Sequence, residues 1–530
     1  MASPDSSQPP PSPTTPLPPA VRDTPASAGA RRTPVALLVM ESVQAVLTAL
    51  MLAFVFRAFF VEAFVIPTGS MAPTLLGRHA TMLCPVCGWE INYGPEAGVR
   101  DRHAPFVAPA LAYCPNCHTR IPLDRVPIRP RGGDRILVHK WPYALGGWLG
   151  PRRWDVIVFR DPSDPTQNYI KRLVGLPGET VEIIDGDVFI RRAREDRPHI
   201  VRKTPAAQRS LWFVVFDQDY LPGDDQRAGR PPAWVNLAAD AAAGAWTGLD
   251  SRVIRFDASD DREHVITFSP IGPAAHQYFQ DIYGYNHGTG GNYVADVRIT
   301  ADVTLNGAGP AGWMRWEIQC NDRRFSATFR PDGEVTLASE PAGGGERTRL
   351  GAARIGPLRT GRPVRCEFGH VDYRVYVEVD GRRLLATTDA QYGPDVERLR
   401  RLRRIAPPRL RIAAAGVPLT LEHLRVDRDV YYTYSRHNSY RAYAGHGFRL
   451  GPDEYFVLGD NSPNSFDSRE WFQAGLHLRR ALNSDAYRVG TVRSDQIVGQ
   501  AFFVYLPGLL PIDERGRWHV PDVGRMRFVR

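Results

Sequence analysis

Cysteine is scarce, with six in 530 residues, too few for a disulfide-stapled scaffold. Also missing is any basic stripe interleaved with aromatic residues. The formal charge of +9 comes from 66 Lys+Arg and 57 Asp+Glu spread along the chain, so nucleic acid is not indicated as a partner. Charge disappears altogether from Ser42 to Phe56. Around that gap, residues 35–60 are apolar on all faces, which argues against a half-buried surface helix. The run meets the roughly 20 residues that a membrane crossing needs, with Glu41 and Arg57 near its ends. It is too long, and stands behind too long a polar tail, for a cleaved signal peptide. The tail itself, residues 1–34, holds ten prolines with Ser, Thr and Ala and is expected to be disordered. Arg22, Arg31 and Arg32 precede the span. The positive-inside rule then puts the N-terminus in the cytoplasm and the chain after Phe60 outside. The length of the whole suggests about three domains.

Directly after the apolar run comes Phe64-Val65-Ile66-Pro67-Thr68-Gly69-Ser70-Met71-Ala72-Pro73-Thr74-Leu75. Pro67 and Pro73 fix φ, so an extended, stiff backbone is expected here. Gly69 would let another stretch of chain approach closely. Next come two C-x-x-C pairs, Cys84-Pro85-Val86-Cys87 and Cys114-Pro115-Asn116-Cys117. Each reads as a knuckle presenting two thiolates, and together they look like a zinc ribbon closed by four sulfurs, a structural clip. Oxidised pairs are the rival reading, because the compartment outside a membrane is oxidising. His79, His103 and His118 stand nearby and are expected on the surface.

Alternation then signals strands at 133–140 and 154–160, a strand from Asn168 into Pro177-Gly178, and a hairpin about Asp185-Gly186. In that alternation Ile170, Arg172 and Val174 share one face, while Lys171 shares the other with Leu173. A lysine beside apolar neighbours is either snorkelling or functional. A later strand runs into Gly459-Asp460-Asn461-Ser462-Pro463-Asn464-Ser465-Phe466-Asp467-Ser468-Arg469, a turn-rich loop in which Asp467 and Arg469 can pair. Residues 496–505 form a closing strand.

An apolar anchor followed by Gly69-Ser70-Met71-Ala72-Pro73-Thr74-Leu75, then Lys171-Arg172-Leu173-Val174-Gly175-Leu176-Pro177-Gly178-Glu179, then the 459–469 loop resembles the bacterial type I signal peptidases. The resemblance covers residues 36–83, about 131–190 and about 450–507. It implies a mostly antiparallel β domain at a membrane surface and a serine endopeptidase that removes signal peptides from exported preproteins. By the same resemblance Ser70 is similar to the nucleophile and Lys171 to the general base. Ser465 resembles the hydroxyl that orients the lysine, and Asp467 with Arg469 the supporting ion pair. Thr68 stands where the family usually has a serine completing the oxyanion hole. Glu470-Trp471-Phe472 departs from the family's usual continuation. None of these boxes contains a histidine, so a Ser-His-Asp arrangement lacks its base there. The implied partners are signal-peptide-bearing preproteins and the lipid bilayer. The implied place is the inner membrane, single-pass, with the catalytic domain on the extracytoplasmic side. No catalytic cofactor is expected.

The resulting map has a tail at 1–34, a transmembrane helix at 35–60 and a discontinuous peptidase domain at 61–83, 121–200 and 436–530. A ribbon insertion occupies 84–120 and a β-sandwich insertion 201–435. The sandwich is expected from regular short strands separated by turns such as Pro331-Asp332-Gly333 and Asp380-Gly381. It loosely resembles concanavalin A or laminin G-like jelly rolls, a fold-level likeness that carries no ligand. Cys320 and Cys366 could pair or stay as buried thiols. The alternative to a peptidase is an anchored binding protein on a retired peptidase scaffold, with the sandwich as its working part. The plainest reading of the sandwich is a spacer.

Overall fold

The computed structural model describes residues 35–95, 105–223, 231–237, 244–269, 278–282, 284–285, 289–307, 311–401, 406–434, 439–475, 487–511 and 518–529. The tail with Arg22, Arg31 and Arg32, and also His103, lie outside them. The chain divides into two units, residues 1–56 and 57–530. Helix α1 runs Val35–Phe59, and its portion Val39–Phe59 is long and apolar enough to cross a membrane.

In the second unit, one sheet is built from stretches far apart in the chain. Its strands are β1 (Val61–Val65), β2 (Arg135–His139), β3 (Val156–Arg160), β4 (Asn168–Gly175), β5 (Glu454–Leu458) and β6 (Ile497–Leu506). Their hydrogen-bonded order is β1-β2-β6-β3-β4-β5, with the short strand Val492–Arg493 beyond β5, all antiparallel. From Ile170 onward β4 is buried on both faces. Leu173 packs with Ile157, Phe159, Val457 and Trp471, while Val174 joins Val181, Leu211, Phe456 and Leu458. The hairpin Thr180–Ile184/Asp187–Arg191 turns where the sequence says it should. Asp185 (φ 51°) and Gly186 (φ 91°) are both left-handed, as a two-residue turn matched to strand twist requires.

The cysteine module is two small hairpins, His79–Leu83/Glu90–Tyr93 and Leu111–Tyr113/Arg120–Pro122. The first hairpin turns through Cys84 and Cys87 and the second through Cys114 and Cys117. Each turn ends in a left-handed residue, Gly88 (φ 75°) or His118 (φ 54°). All four Sγ atoms lie within 4.8 Å of one another, as unpaired thiols. Two expectations fail here. His79 and His118 are buried, not on the surface. His79 Nδ1 is 2.7 Å from the Gly77 carbonyl oxygen, and the His118 ring lies 3.9 Å from that of Tyr278. For His118 the cause is docking. The second knuckle is clasped by the neighbouring section, with Asn116 donating to the Tyr220 carbonyl (2.7 Å) and accepting from the Asp217 N–H (2.6 Å).

The middle section is a two-layer β structure. One sheet has the order Trp246–Thr247, Val253–Phe256, Leu419–Arg428, Val297–Leu305, Val364–Val371, Arg374–Val379, Arg382–Ala386, with Phe213–Asp217 also on Leu419–Arg428. The other has the order Trp234–Asn236, His264–Phe268, Arg409–Ala415, Trp313–Cys320, Arg323–Phe329, Glu334–Pro341, Thr348–Arg354. Trp234, Trp246, Trp316, Ile299, Ile412 and Leu421 share its core. The Asp332-Gly333 and Asp380-Gly381 turns fall between strands as expected. Cys320 and Cys366 belong to different sheets, and both are buried free thiols. Alkylation of the denatured, unreduced protein followed by mass spectrometry should therefore find both modified. A Cys320–Cys366 disulfide would contradict this arrangement.

Candidate active site

Ser70 lies on a single 3-10 turn, Gly69–Met71, between extended Thr68 and Ala72. The two prolines led us to expect extended backbone throughout. They lie outside the turn, however, so its N–H groups stay available and Ala72 N–H closes it on the Gly69 carbonyl (3.0 Å). Met71 and Leu75 anchor it by packing with Ile66, Ile136, Val158 and Ile170. Asp134 holds its far end, accepting from Leu76 N–H (3.0 Å) and donating its own N–H to the Leu76 carbonyl (2.8 Å).

Lys171 projects from β4, opposite Ile157 of β3, and its Nζ is 2.6 Å from Ser70 Oγ. Both residues are buried. Burial pushes the lysine amine down to about 8. Asp467 and Asp460 oppose that shift, and Arg469 adds to it.

Two buried ion pairs flank the amine. Asp467 takes Arg469 on both oxygens (2.9 and 2.7 Å) and accepts the Gly459 N–H (3.0 Å). Burial pushes Asp467 up, but Arg469 and these hydrogen bonds outweigh it and hold the carboxyl below its usual range. Arg469 also donates to Ser462 Oγ (2.8 Å), which fixes the loop on itself. The second pair is Arg172 with Asp460, again two-pronged (2.8 and 2.7 Å) and fully buried.

Of the remaining expected residues, Thr68 is exposed at the head of the turn. Ser465 is buried against Gly459. A side chain on that glycine would put its Cβ 2.1 Å from Ser465 Oγ and 2.5 Å from the Ser70 carbonyl oxygen. Gly459 thus brings Ser465 and the Ser70 turn together, while no hydrogen bond joins Ser465 to Lys171. Asn461 was missed. Its N–H donates to the Ser70 carbonyl (3.0 Å) and its Nδ2 to the Gly69 carbonyl (2.9 Å). In the sequence it reads as a turn residue. The Arg172–Asp460 pair was missed as well. Its signal was a guanidinium placed between Ile170 and Val174, because a charge on an apolar face needs a buried partner.

The family model described as "Signal peptidase, peptidase S26" matches residues 130–219 and 409–506. The signal peptidase I of Pseudomonas aeruginosa is 33% identical over 217 residues, covering 36% of this chain and 60% of that one. That of Pseudomonas fluorescens is 32% identical over 187 residues, with 34% and 50% covered. That of Rickettsia typhi is 26% identical over 149 residues, with 28% and 42% covered. The chain therefore spans 60% or less of the length of these curated relatives. Among solved structures, a carbohydrate binding module from Bacillus subtilis aligns over 37% of this chain and 96% of its own, at 10% identity and a TM-score of 0.25. A laminarinase catalytic domain from Thermotoga petrophila aligns over 41% and 98%, at 13% identity and a TM-score of 0.25. The stretches that carry Lys171, Asp467 and Arg469 fall inside the family match, and over those stretches the chain is similar to the type I signal peptidases.

Proposed function

We propose that this chain is a membrane-anchored serine endopeptidase that removes signal peptides, with Ser70 as nucleophile and Lys171 as general base. The observation that carries the reading is the 2.6 Å contact between a buried, easily neutralised amine and a buried hydroxyl. A serine hydroxyl attacks only when its proton is taken. Neutral Lys171 accepts that proton as Ser70 Oγ bonds to the scissile carbonyl carbon. The resulting ammonium returns it to the leaving amine as the C–N bond breaks. Water, deprotonated by the same amine, then releases the acyl group and restores the hydroxyl. The developing oxyanion is met by the Ser70 N–H and the Thr68 hydroxyl. Asp467, Arg469 and Ser465 hold the loop that faces the lysine.

Helix α1 is the anchor, with its N-terminal end in the cytoplasm and the catalytic unit on the outer side of the inner membrane. The substrates are preproteins whose signal peptides lie in the same bilayer, so anchoring raises effective concentration. The four clustered thiols suit one structural zinc. A tetrahedral Zn–S shell places sulfurs about 3.8 Å apart, and here Cys87–Cys114 and Cys84–Cys117 are 3.5 and 3.6 Å apart. Bound zinc would fix both knuckles and leave no open position for chemistry.

Three outcomes are expected. Detergent-solubilised protein should cut a preprotein at its signal peptide. Ser70→Ala and Lys171→Ala should each abolish the cut, and Thr68→Ala should slow it by ~10²–10³. A Lys171→Ala protein that keeps substantial rate removes the proposed base, and a wild-type protein that never cuts favours the retired-scaffold reading. Next, kcat/KM should climb about tenfold per pH unit at low pH and level off above about 8, since the charged amine cannot accept a proton. A flat profile from pH 6 to 9 would contradict a lysine base. Finally, metal analysis should find about one zinc per chain, lost in Cys114→Ser. Metal-free protein with both C-x-x-C pairs oxidised would defeat the clip.

A further inference from the structure

The inserted sandwich reaches into the candidate active site through one hairpin. Gln280–Ile282 pairs with Thr289–Tyr293. Its base is set into the sandwich, where Phe279 joins the core and Val294 N–H donates to the Phe279 carbonyl (2.8 Å). Asp281 braces the two strands by accepting from Asn292 N–H (2.8 Å) and Nδ2 (2.9 Å). Between the strands, Gly284 and Tyr285 are buried against the turn that carries Ser70.

Three contacts make this more than proximity. Gly284 N–H donates to Asn461 Oδ1 (2.8 Å), and Asn461 in turn donates to the carbonyls of Gly69 and Ser70. One buried residue thus ties the hairpin to both carbonyls around Ser70, through its side-chain amide to Gly284 and Gly69 and through its backbone N–H to Ser70. Gly284 also lies on the backbone of Ala72, where an added Cβ would sit 2.5 Å from the carbonyl oxygen. The Tyr285 ring fills a slot between two glycines. A Cβ at Gly69 would be 1.9 Å from its Cε2, and a Cβ at Gly94, in the cysteine module, would be 2.3 Å from its Cδ2. Ala72 and Leu76 complete its packing. The close approach that Gly69 permits is therefore used by a residue of the insertion.

We infer that Tyr285 is a positioning residue for the Ser70 turn, so that the sandwich and the cysteine module jointly set the height of the nucleophile over Lys171. The inference rests on the peptidase reading above. Its physical basis is the sensitivity of attack geometry, since a displacement of about 1 Å can cost roughly 10² in rate. A turn backed only by its own short 3-10 bonds has no such stop. With the ring wedged between two backbones, the turn cannot retreat from the amine.

The test uses the full chain in detergent with a preprotein substrate. Tyr285→Ala should lower kcat by about 100-fold with little change in KM, and should move the low-pH limb of kcat/KM to higher pH, because a turn that retreats uncovers the Ser70 side of the amine and favours its charged form. Tyr285→Phe keeps the ring and should retain near-wild-type kcat. Gly94→Ala, which pushes the ring from the far side, should also lower kcat. Val377→Ala, a core truncation in the sandwich away from the site, should lower Tm and leave kcat and the pH limb unchanged. If Tyr285→Ala does not fold, Tyr285→Leu, which keeps the contacts with Ala72 and Leu76, is read the same way. Folded variants at positions 285 and 94 with wild-type kcat and an unmoved limb would overturn the inference while leaving the peptidase reading intact. A wild-type protein that does not cut would overturn both.

Discussion

The proposed chemistry depends on a lysine amine that is neutral beside a serine hydroxyl, and burial of both groups favours that form. Lys171 sits on a strand buried on both faces, and that burial is the main cause of its lowered proton affinity. Of the three carboxylates that act on the amine, Asp161 accepts from Ser163 and the other two are paired with guanidinium groups. Asp467 is held by Arg469, and Asp460 by Arg172, each through two hydrogen bonds. Left unpaired, either carboxylate would draw a proton onto the amine. Buried pairs of this kind contribute little net stability. Their use here is to keep the potential at Lys171 low while fixing the loop that carries Asn461 and Ser465.

The sheet order explains how distant segments meet. Strand β4 lies between β3 and β5, which brings Lys171 alongside the loop that follows β5. Ser70 arrives from the other edge, through the chain that leaves β1 and is clamped by Asp134. Lys171 and Ser70 are 101 residues apart and Arg172 and Asp460 are 288 apart. Tyr285, from the middle section, packs against Gly69 of the turn on one side and Gly94 on the other.

Local features were legible in the sequence. Alternation placed the strands of the first sheet, left-handed positions at Asp185 and Gly186 marked a hairpin, and Lys171 was correctly put on the face of Leu173. The candidate pair itself rested on resemblance, since no spacing rule brings a hydroxyl to an amine across such a distance. What stayed hidden was set by docking between distant segments. His79 and His118 read as polar and exposed, but the cysteine module is clasped by Asp217 and Tyr220, which buries one of them and its surroundings. Asn461 read as a turn former because its partners, Gly69, Ser70 and Gly284, come from three other stretches of chain. Tyr285 gave no signal of its own. Only Gly69, a residue with no side chain, recorded that something would lie against it.

The central claim is that the Lys171 amine loses its proton near neutral pH, and the composition makes a direct measurement practical. The chain contains three lysines. Lys140 pairs with Glu62 (3.1 Å). Lys203 is gripped by Asp372 and Asp429 (2.5 and 2.6 Å). Burial pushes its amine down, but these carboxylates prevail and hold it well above the usual lysine range. Side-chain nitrogen NMR of protein labelled at lysine should therefore show one amine titrating near 8, absent from Lys171→Met. A signal that is lost in Lys171→Met yet titrates above about 10, the ordinary range for lysine, would contradict the account.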